Sequence, residues 1–295
     1  MKKKIYLYLT GGLGNQLFQY ACAKNLATNK KADLIIEDKI GFLKDFIFKR
    51  KLNLPKNLTY KKIKFTERLI FIALLFIKKI FYKKKLYIKY KKTIIIDETK
   101  ELSFIKNFFI ITNDCTKIYL IGFFQSEKYF PTHKNMIIDK ILKNKIKNKK
   151  LYKLSKLINY KSLMIGMRFF EEVPNKNKGD FGGIEKIQFF IRSISKINNN
   201  FKVKKSYVFT MPYNNTLITQ KFKNINHEII NKKNRYTDNN LDNILLISKF
   251  KNLIISNSSF YWWGAYLANR NKKIKIIASK KFKNKDSLPS SWVRK

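Results

Sequence analysis

Cysteine and histidine are scarce in this chain of 295 residues, which contains two of each. Cys22 and Cys115 lie far apart in the sequence, so no disulfide framework can be built from them. Neither these cysteines nor His133 and His227 have the close spacing of a zinc site. We therefore expect neither a disulfide scaffold nor a resident metal.

Acidic residues are also few, and basic residues far outnumber them. The sequence has 64 lysines and arginines against 19 aspartates and glutamates, a formal net charge of +45 at pH 7. A nucleic-acid partner, an anionic membrane surface and a lysine-favouring codon bias would each explain this excess. The lysines are spread along the whole chain, which favours codon bias. No helix-turn-helix, zinc or RNP-type motif accompanies them, so we expect no specific nucleic-acid partner.

Long hydrophobic runs are missing as well. The first apolar run is only about five residues long before the turn at 10–12, which is too short for a signal peptide and predicts a β-strand. No stretch reaches the roughly 18 apolar residues of a spanning helix. The apolar run at 69–77 fits a buried helix or, together with the basic residues 78–92, a segment on an anionic membrane. We therefore expect a cytoplasmic protein, either soluble or peripheral at the inner face of the plasma membrane.

What the sequence does contain is the pattern of an α/β protein. Hydrophobic residues make up 45% of the chain, which is ample for a packed core. A strand at 4–10, a glycine turn, a helix at 14–30 and a strand at 31–38 open a Rossmann-like domain. A second run of this kind begins with a strand at 162–169. It continues with helices near 184–197, 241–250 and 262–270 and with strands at 206–211, 252–257 and 273–279.

The two runs predict two Rossmann-type lobes. We assign the first lobe to residues 1–150, with a basic insertion at about 39–110. We assign the second lobe to residues 151–295. The seam between the runs falls near 131–160, where a helix and its exit separate them.

The first candidate site is the glycine turn before the first helix. Gly11, Gly12 and Gly14 would let the backbone approach a ligand in front of the helix N–H groups. Asn15 and Gln16 place two amides at the helix start, where amides can hold sugar hydroxyls. The spacing misses the dinucleotide pattern G-x-G-x-x-G. A tight turn with an asparagine near the N-cap explains the same residues without a ligand.

The second candidate site follows the strand at 162–169. The strand delivers Arg168 to the carboxyl edge of the sheet, where α/β proteins bind ligands. A guanidinium donates to two phosphate oxygens at once, so this position suits a phosphate. Glu171 and Glu172 follow in the next loop and could act as a base or orient a substrate hydroxyl. A surface Arg–Glu pair is the alternative interpretation.

The third candidate site is the stretch SNSSFYWW at 256–263. Its small polar residues fall where a strand gives way to a helix, and the helix dipole with its N–H groups favours an anion there. Phe260 and Tyr261 would stack on a base beside that anion. An ordinary capped helix with Trp262 and Trp263 buried is the alternative interpretation. The residues assigned to the site are Asn257, Ser258, Ser259 and Phe260.

Four stretches resemble, in the same order, motifs of the family 11 glycosyltransferases, the bacterial α-1,2-fucosyltransferases. They are GGLGNQLFQYA at 11–21, GFFQSEKYF at 122–130, ISNSSFYWWGAYLA at 255–268 and DSLPSSW at 286–292. The resemblance spans nearly the whole chain. It implies a GT-B-like fold with two Rossmann-type lobes and a cleft between them, the first lobe on the acceptor side and the second on the donor side.

The resemblance also implies a reaction. GDP-fucose would be the donor, and fucose would pass with inversion to a galactoside hydroxyl, in α-1,2 linkage, on a bacterial surface glycan or its precursor. No cofactor or metal would be required. By the same resemblance Asn15 would lie near the fucose and Arg168 would hold the diphosphate. Ser258, Ser259 and Phe260 would line the donor site.

The chain departs from the family at its central motif, which usually runs His-x-Arg-Arg-x-Asp. Gly166 stands at the histidine, Phe169 at the second arginine and Glu171 at the aspartate, so only Arg168 matches. Because Glu171 takes the aspartate position, we expect it rather than Glu172 to be the base. The family's Ser-Asp-Asp is also replaced, by FTMPYNN at 209–215, which predicts altered acceptor contacts rather than an altered fold.

Two alternatives to the fucosyltransferase remain open from the sequence. The same fold could use another nucleotide sugar, because pocket side chains do not rank donors by themselves. A catalytically weak relative that only binds sugar would also explain the altered central motif.

Overall fold

The computed structural model describes residues 2–43, 45–46, 48–101, 103–168, 185–198, 202–236, 240–270 and 274–295. It divides into two compact units. Lobe 1 is Met1–Ile141 together with Asn284–Ser287, and lobe 2 is Leu142–Lys283 together with Leu288–Lys295. Each lobe is built on a six-stranded sheet with helices, which confirms the predicted α/β class with two Rossmann-type lobes. The sequence did not indicate that Asn284–Ser287 belongs to lobe 1.

The first half of the chain alternates strands and helices. The strands are β1 Lys4–Tyr8, β2 Asp33–Glu37, β3 Lys61–Lys62, β4 Tyr87–Tyr90, β5 Thr93–Asp97 and β6 Lys117–Ile121. The helices are α1 Leu13–Asn29, α2 Phe65–Phe81, α3 Phe108–Ile111 and α4 Lys134–Leu142, with 3-10 turns at Ile40–Phe42, Glu98–Lys100 and Glu127–Tyr129. The sheet order is β3-β2-β1-β6-β5-β4, parallel except for the antiparallel hairpin of β4 and β5.

The strands of lobe 1 are short apolar runs because helices cover a parallel sheet on both faces. In β1 the three central residues are buried, and β5 and β6 follow the same pattern. One face of the sheet carries Tyr6 and Tyr119, whose rings stack with centroids 4.6 Å apart. Phe71 of α2 packs on both of these rings. The core of this face therefore combines aromatic rings with isoleucine side chains.

The structure corrects the interpretation of residues 39–110 as an insertion. This region supplies β3, β4 and β5 to the sheet itself, and β5 pairs with β6 over its full length. The run TIIID forms β5, and four of its five residues are buried. A short apolar run between lysine-rich stretches has no alternating pattern, so periodicity did not identify it as a strand.

The apolar run at 69–77 lies in α2, which is a surface helix. Only Phe71 and Lys78 of its 17 residues are buried. The interpretation of this run as a buried helix is therefore wrong. Among the helices that the structure describes, none is both long enough and apolar enough to cross a bilayer.

The second half of the chain repeats the α/β pattern. The strands are β7 Ser162–Gly166, β8 Lys205–Phe209, β9 His227–Ile230, β10 Asn252–Ile255, β11 Lys275–Ala278 and β12 Val293–Arg294. The helices are α5 Lys149–Leu157, α6 Ile187–Asn198, α7 Asn215–Lys221, α8 Asn240–Ile247 and α9 Ser259–Ala268, with 3-10 turns at Pro212–Asn214 and Lys232–Asn234. The sheet order is β12-β11-β10-β7-β8-β9, and every pair of neighbours is parallel.

Lobe 2 is held together by an aliphatic core and by close helix packing. Residues of β7, β8 and β10 pack with Phe190, Ile194 and Ile197 of α6. On another side of the lobe α8 and α9 approach closely, because a Cβ at Gly264 would lie 2.4 Å from Ile247 Cγ2. Glycine at 264 is therefore what allows α9 to lie against α8.

Candidate functional site

The glycine turn of lobe 1 lies where the strand order of its sheet reverses. The chain runs outward from β1 to β3 on one side and returns from β4 to β6 on the other. In open α/β sheets the crevice at such a point, outside the carboxyl ends of the strands, is where ligands bind. In the loop after β1, Gly11 has a φ of +79°, and a Cβ there would lie 2.8 Å from Asn15 Nδ2. Glycine is needed for this backbone angle and for the approach of Asn15. Gly12 is the N-cap of α1, and Gly14 is buried in its first turn.

Asn15 and Gln125 form a pair of amides at this crevice. Asn15 Oδ1 accepts a hydrogen bond of 2.9 Å from Gln125 Nε2, and both residues are half-buried. Side-chain amides donate and accept hydrogen bonds, which matches the hydroxyls of a sugar. Gln125 was not predicted individually, although it lies in the stretch 122–130. Its position shortly after β6 could have indicated a site residue. The pairing of β6 with β1, which brings it to Asn15, cannot be deduced from local sequence.

Gln16 has a different role from the one predicted. Its side chain is fully buried, and Nε2 donates to the carbonyl oxygens of Gly11 and Lys51 over 2.8 Å and 2.9 Å. Its Oε1 accepts from the backbone N–H of Asn53 over 2.8 Å. The structure therefore corrects the predicted ligand contact, since Gln16 ties the glycine turn to residues 51–53.

A second buried amide joins the two loops of the crevice. Gln19 Oε1 accepts from the backbone N–H of Thr10 over 3.1 Å, and its Nε2 donates to the carbonyl of Gly122 over 2.9 Å. Thr10 follows β1 and Gly122 follows β6, so one side chain fixes the distance between the loops. Helical spacing alone gave no reason to single out Gln19.

Glu98, directly after β5, is a buried carboxyl at the same edge of the sheet. Its Oε2 accepts from the backbone N–H of Phe123 over 2.9 Å. Burial raises the pKa of Glu98 to about 7, although the N–H groups of Phe124 and Phe123 act in the opposite direction. A Cβ at Gly122 would lie 2.7 Å from the Glu98 side chain. Glu98 therefore supports the start of the 122–130 loop and titrates near neutral pH.

The same loop is braced by the C-terminal stretch that resembles the family signature. Ser126 Oγ donates to the carbonyl of Asp286 over 2.8 Å. Lys128 forms an ion pair with the Asp286 carboxylate, which also accepts from the backbone N–H of Phe104 over 2.9 Å. This contact explains why Asn284–Ser287 belongs to lobe 1.

In lobe 2 the strand order reverses between β7 and β10, and the other two candidate sites follow these strands. The backbone N–H of Arg168 donates to Ser256 Oγ over 3.0 Å, and the N–H of Ser256 donates to the carbonyl of Gly166 over 3.0 Å. Ser256 is fully buried, and Arg168 is half-buried. Ser256 therefore ties the two loops together and holds the backbone of Arg168 at the crevice.

Tyr261 supports these loops by hydrogen bonding to the backbone, whereas the sequence predicted that it stacks on a base. Its hydroxyl donates to the carbonyl of Phe209 over 2.9 Å, and the carbonyl oxygen of Met167 lies 3.3 Å from the same hydroxyl. The ring occupies the space beside Gly166, where a Cβ would lie 2.6 Å from Tyr261 Cγ. Glycine at the position of the family histidine is therefore required by the packing of Tyr261.

The turn at 256–260 ends at the N-terminus of α9. The helix begins at Ser259, and its N-cap Ser258 makes no side-chain capping bond. The positive end of the helix dipole lies at this turn. Asn257 Nδ2 donates to the carbonyl of Lys281 over 3.1 Å, and Ser259 and Phe260 are half-buried. The turn offers N–H groups, hydroxyls and one aromatic ring to an anionic ligand.

The tryptophan pair belongs to the core of lobe 2. Trp262 and Trp263 are fully buried, and Trp262 stacks on Tyr266 with centroids 4.4 Å apart. Trp292, from the C-terminal stretch, lies 5.6 Å from Trp262. This confirms the interpretation of a buried tryptophan pair.

A basic cavity of lobe 2 is linked to the turn through Lys281. Its volume is about 550 Å³. Glu185 at its edge accepts a hydrogen bond from Ser279 and lies 3.7 Å from Lys281 Nζ, and Lys281 is the residue that binds Asn257. In the part of the chain that the structure describes, no cluster of three or more histidine, cysteine or acidic side chains could hold a metal ion. The cationic residues lining the cavity are Lys186, Arg192, Lys281 and Lys295.

Two predicted site residues cannot be placed in this geometry. Glu171 and Glu172, the candidates for the catalytic base, lie outside the described residues, as does Phe169. Arg168 is the last described residue before them. The base therefore stays a prediction from the sequence.

Comparisons with known proteins bear on the whole chain. A model of glycosyl transferase family 11 matches residues 4–293. The O-antigen biosynthesis glycosyltransferase WbnK of Escherichia coli is 25% identical, over 98% of this chain and 99% of that protein. An alpha-1,2-colitosyltransferase of Escherichia coli is 28% identical, over 97% of each chain.

The fold has a counterpart among solved structures. A mutant of Arabidopsis thaliana FUT1, in complex with GDP, superposes with a TM-score of 0.52 at 11% identity. The match covers 94% of this chain and 70% of that one. At this identity the likeness concerns the fold.

Proposed function

Because this chain belongs to glycosyl transferase family 11, we propose that it transfers L-fucose from GDP-fucose to a galactoside. The transfer would create an α-1,2 linkage on a bacterial surface glycan or its precursor. One observation carries the proposal: the motif residues Asn15 and Arg168 each follow a central strand at the point where the strand order of its own sheet reverses. Ligands of open α/β sheets bind at such points.

The donor would be held by lobe 2. Arg168 donates to the diphosphate, because a guanidinium binds two oxygens in one plane. The turn with Asn257, Ser258 and Ser259 adds hydroxyls and the N-terminus of α9, both of which favour a phosphate. Phe260, which is half-buried beside them, lines the nucleotide. The GDP complex of the plant relative with the same fold supports this choice of nucleotide.

The reaction is a displacement with inversion at the anomeric carbon of fucose. The acceptor hydroxyl forms the new C–O bond as the bond to the β-phosphate breaks, and GDP leaves with the electron pair. The hydroxyl proton passes to the carboxylate of Glu171, the proposed base, with Glu172 as the second candidate. Such a base acts in the transition state, where the hydroxyl becomes acidic, and contributes about 10²–10⁴-fold.

We propose that no metal or cofactor takes part. The departing diphosphate needs positive charge, and the chain supplies it through Arg168 and the cations of the basic cavity. Lys281 is the best placed of these, because its carbonyl accepts a hydrogen bond from Asn257 of the turn. These protein cations would take the role that a divalent metal has in other transferases.

The acceptor side would be lobe 1. By the family resemblance Asn15 lies near the fucose, and its amide is hydrogen-bonded to that of Gln125 at the crevice, so the pair would orient sugar hydroxyls where the fucose meets the acceptor. The name of the first Escherichia coli relative, an O-antigen biosynthesis glycosyltransferase, supports an O-antigen or similar surface glycan as acceptor. We place the reaction in the cytoplasm, which the unpaired cysteines Cys22 and Cys115 favour.

A second donor is favoured by one specific observation. The colitosyltransferase is 28% identical over nearly the whole chain, and colitose differs from fucose only in lacking the 3-hydroxyl. GDP-colitose is therefore the alternative donor. A pocket built to bind the 3-hydroxyl would reject colitose strongly, whereas one without that contact would discriminate weakly.

The test is a donor screen with the purified chain and a galactoside acceptor. We expect turnover with GDP-fucose and none with UDP-galactose or GDP-mannose. Turnover with GDP-colitose alone would replace the donor in the proposal. Binding of GDP-fucose without turnover on any galactoside would identify a sugar-binding relative instead. Salt-sensitive binding to nucleic acid, with no binding of GDP, would favour a nucleic-acid-binding protein.

A further inference from the structure

Helix α2 turns three of its four charged residues, Glu67, Arg68 and Lys78, toward the sheet, and Lys79 is exposed. Glu67 Oε1 accepts from Lys4 Nζ and from the Tyr6 hydroxyl, each over 2.9 Å. Lys78 Nζ donates to Asp97 Oδ2 over 2.9 Å, and Lys78 is buried. These two contacts are eleven residues apart on α2 and fix the rotation of the helix at both ends. Turning the helix over would leave the carboxylate of Asp97 buried without its partner.

A third ion pair holds the same face of α2 inward. Arg68 Nε donates to Glu37 Oε1 over 3.0 Å, and its Nη2 reaches Asp38 Oδ1 over 3.4 Å. The Glu37 carboxylate is fully buried. The charged side of α2 therefore packs against the rest of lobe 1.

The opposite side of α2 is apolar and exposed. We call it the outer face, and its most exposed residues, Phe65 and Phe81, are 71% and 72% exposed. Monomeric soluble proteins rarely leave so large a contiguous apolar patch in water. We therefore expect an apolar binding partner to cover the outer face. The eight residues of the outer face are Phe65, Leu69, Ile70, Ile72, Phe76, Ile77, Ile80 and Phe81.

The charged residues around the outer face indicate which kind of partner binds there. Between residues 61 and 92 the sequence contains eleven lysines and one acidic residue, Glu67, which faces the sheet. Lysines at both ends of α2 are exposed, among them Lys64 before it and Lys83 to Lys85 after it. Tyr87 and Tyr90 of the adjacent hairpin are also exposed. An apolar helix face bordered by lysines and tyrosines matches the boundary between acyl chains and anionic headgroups.

We propose that the outer face of α2 docks lobe 1 on an anionic membrane surface. The helix lies in the plane of the interface, because its other side is packed on the sheet through Phe71. A second copy of the chain fits this face poorly, since two chains of net charge +45 repel each other. If the proposed function holds, docking keeps the enzyme beside acceptors that a lipid carries; the docking itself does not depend on that function.

The experiment is co-sedimentation of the full chain with vesicles, either of phosphatidylcholine alone or of phosphatidylcholine with phosphatidylglycerol. We compare the wild type with the double variant Leu69→Ser, Phe76→Ser. The control is Ile110→Ser, Leu157→Ser, which removes two exposed apolar residues outside α2. We expect the α2 variant to lose at least about tenfold in affinity for anionic vesicles and the control to bind as the wild type does.

Further measurements distinguish between the possible binding partners of the outer face, a membrane or a second copy of the chain. The tryptophan fluorescence gained by the variant Phe76→Trp should be quenched by brominated acyl chains in anionic vesicles. This measurement detects insertion directly and does not depend on loss of binding. Equal binding of both double variants, or no binding by the wild type, would overturn the proposal. So would a dimer in solution that dissociates only in the α2 variant, because a second copy would then be the cover. Transfer to a water-soluble acceptor should be unchanged in both double variants, which separates docking from catalysis.

Discussion

At the scale of single residues, the backbone of Arg168 is fixed independently of its side chain, because its N–H donates to Ser256 Oγ. Arg168→Lys should therefore keep the loop in place and change only the phosphate contact. Lysine keeps the charge but loses the two parallel hydrogen bonds. We expect GDP to bind about tenfold more weakly or worse, measured by calorimetry.

The matched control is Arg270→Lys, an exposed position after the end of α9. It should leave GDP affinity unchanged. Equal affinities in wild type and Arg168→Lys would remove Arg168 from the phosphate site.

The base belongs to the same scale, and the sequence alone supports it. Glu171→Gln keeps the size of the side chain but cannot accept a proton, so turnover should fall at least about a hundredfold. GDP affinity should stay nearly unchanged, because the glutamate acts on the acceptor hydroxyl. Single-turnover kinetics and calorimetry on the same variant separate these effects.

Glu172→Gln is the internal comparison for this prediction. If it is inactive while Glu171→Gln is active, the base lies one residue further along. If both variants keep normal turnover, no glutamate of this pair acts as base and loss of GDP drives the reaction.

Glu98 gives a prediction about pH. Its pKa is raised from 4.5 to about 7 in the folded protein, so the folded state binds this proton more tightly than the unfolded state does. The stabilisation from the proton is complete below about pH 4.5 and is lost as pH rises through about 7. Glu98→Gln should therefore gain free energy of unfolding relative to wild type over this range, by roughly 3 kcal/mol at most.

Chemical denaturation of both proteins at several pH values measures this difference. Glu127→Gln, in the loop that Glu98 supports, is the control and should parallel the wild type. A constant difference between Glu98→Gln and wild type would show that Glu98 does not titrate in this range.

Residue roles could be predicted only in part. Asn15 and Arg168 stand out because polar side chains directly after a strand or turn are local in sequence. Gln16 and Tyr261 looked like ligand contacts for the same reason, yet their partners lie at residues 51–53 and at Phe209. Such partners come from tertiary packing, which local patterns do not encode.

At the scale of elements, periodicity was sufficient for most strands and helices of lobe 2. Strands β7, β8 and β10 were predicted to within a few residues of their ends. In lobe 1 the method failed for β5, because TIIID is too short and too uniform to show a period. For α2 it indicated a helix but not which side is buried, because ion pairs to Glu37 and Asp97 turn the polar side inward. Amphipathicity shows that two sides of a helix differ in polarity. Which side faces the core depends on the residues that the helix contacts in the fold.

The packing of α9 under β7 is testable through Gly166. A Cβ at this position would lie 2.6 Å from Tyr261 Cγ, so Gly166→Ala should destabilise lobe 2 by about 1–3 kcal/mol. Gly12→Ala is the control, because its Cβ would meet nothing closer than 3.8 Å, and it should cost less than about 1 kcal/mol. Thermal and denaturant unfolding report both values.

A double variant shows whether Tyr261 is the cause. In the background of Tyr261→Ala the added methyl group has room, so the cost of Gly166→Ala should largely disappear. Additive costs of the two substitutions would mean that the ring and the glycine do not compete for space.

At the scale of the whole molecule, the fold was predictable because two βαβ runs are visible in the sequence. The return of Asn284–Ser287 to lobe 1 was not, since it depends on contacts of Asp286 with Ser126 and Lys128 that lie far away in the chain. The cations behind the net charge of +45 are spread along the chain, and some of them lie around α2 and in the basic cavity.

This excess of cations leads to a prediction about metals. If Arg168 and the lysines of the cavity neutralise the departing diphosphate, turnover should persist unchanged in EDTA. Assays with and without chelator, followed by addition of Mg²⁺ or Mn²⁺, test this directly. Loss of turnover in EDTA that either ion restores would show that a metal takes this role.

The central claim is tested most directly by the structure of the product. The purified chain is incubated with GDP-fucose and a soluble galactoside, and the product is analysed by NMR. The account predicts one new α-linked fucose on the 2-hydroxyl of galactose, formed mole for mole with GDP. A β-linked product, a linkage to another hydroxyl, or release of GDP without a new glycoside would contradict it.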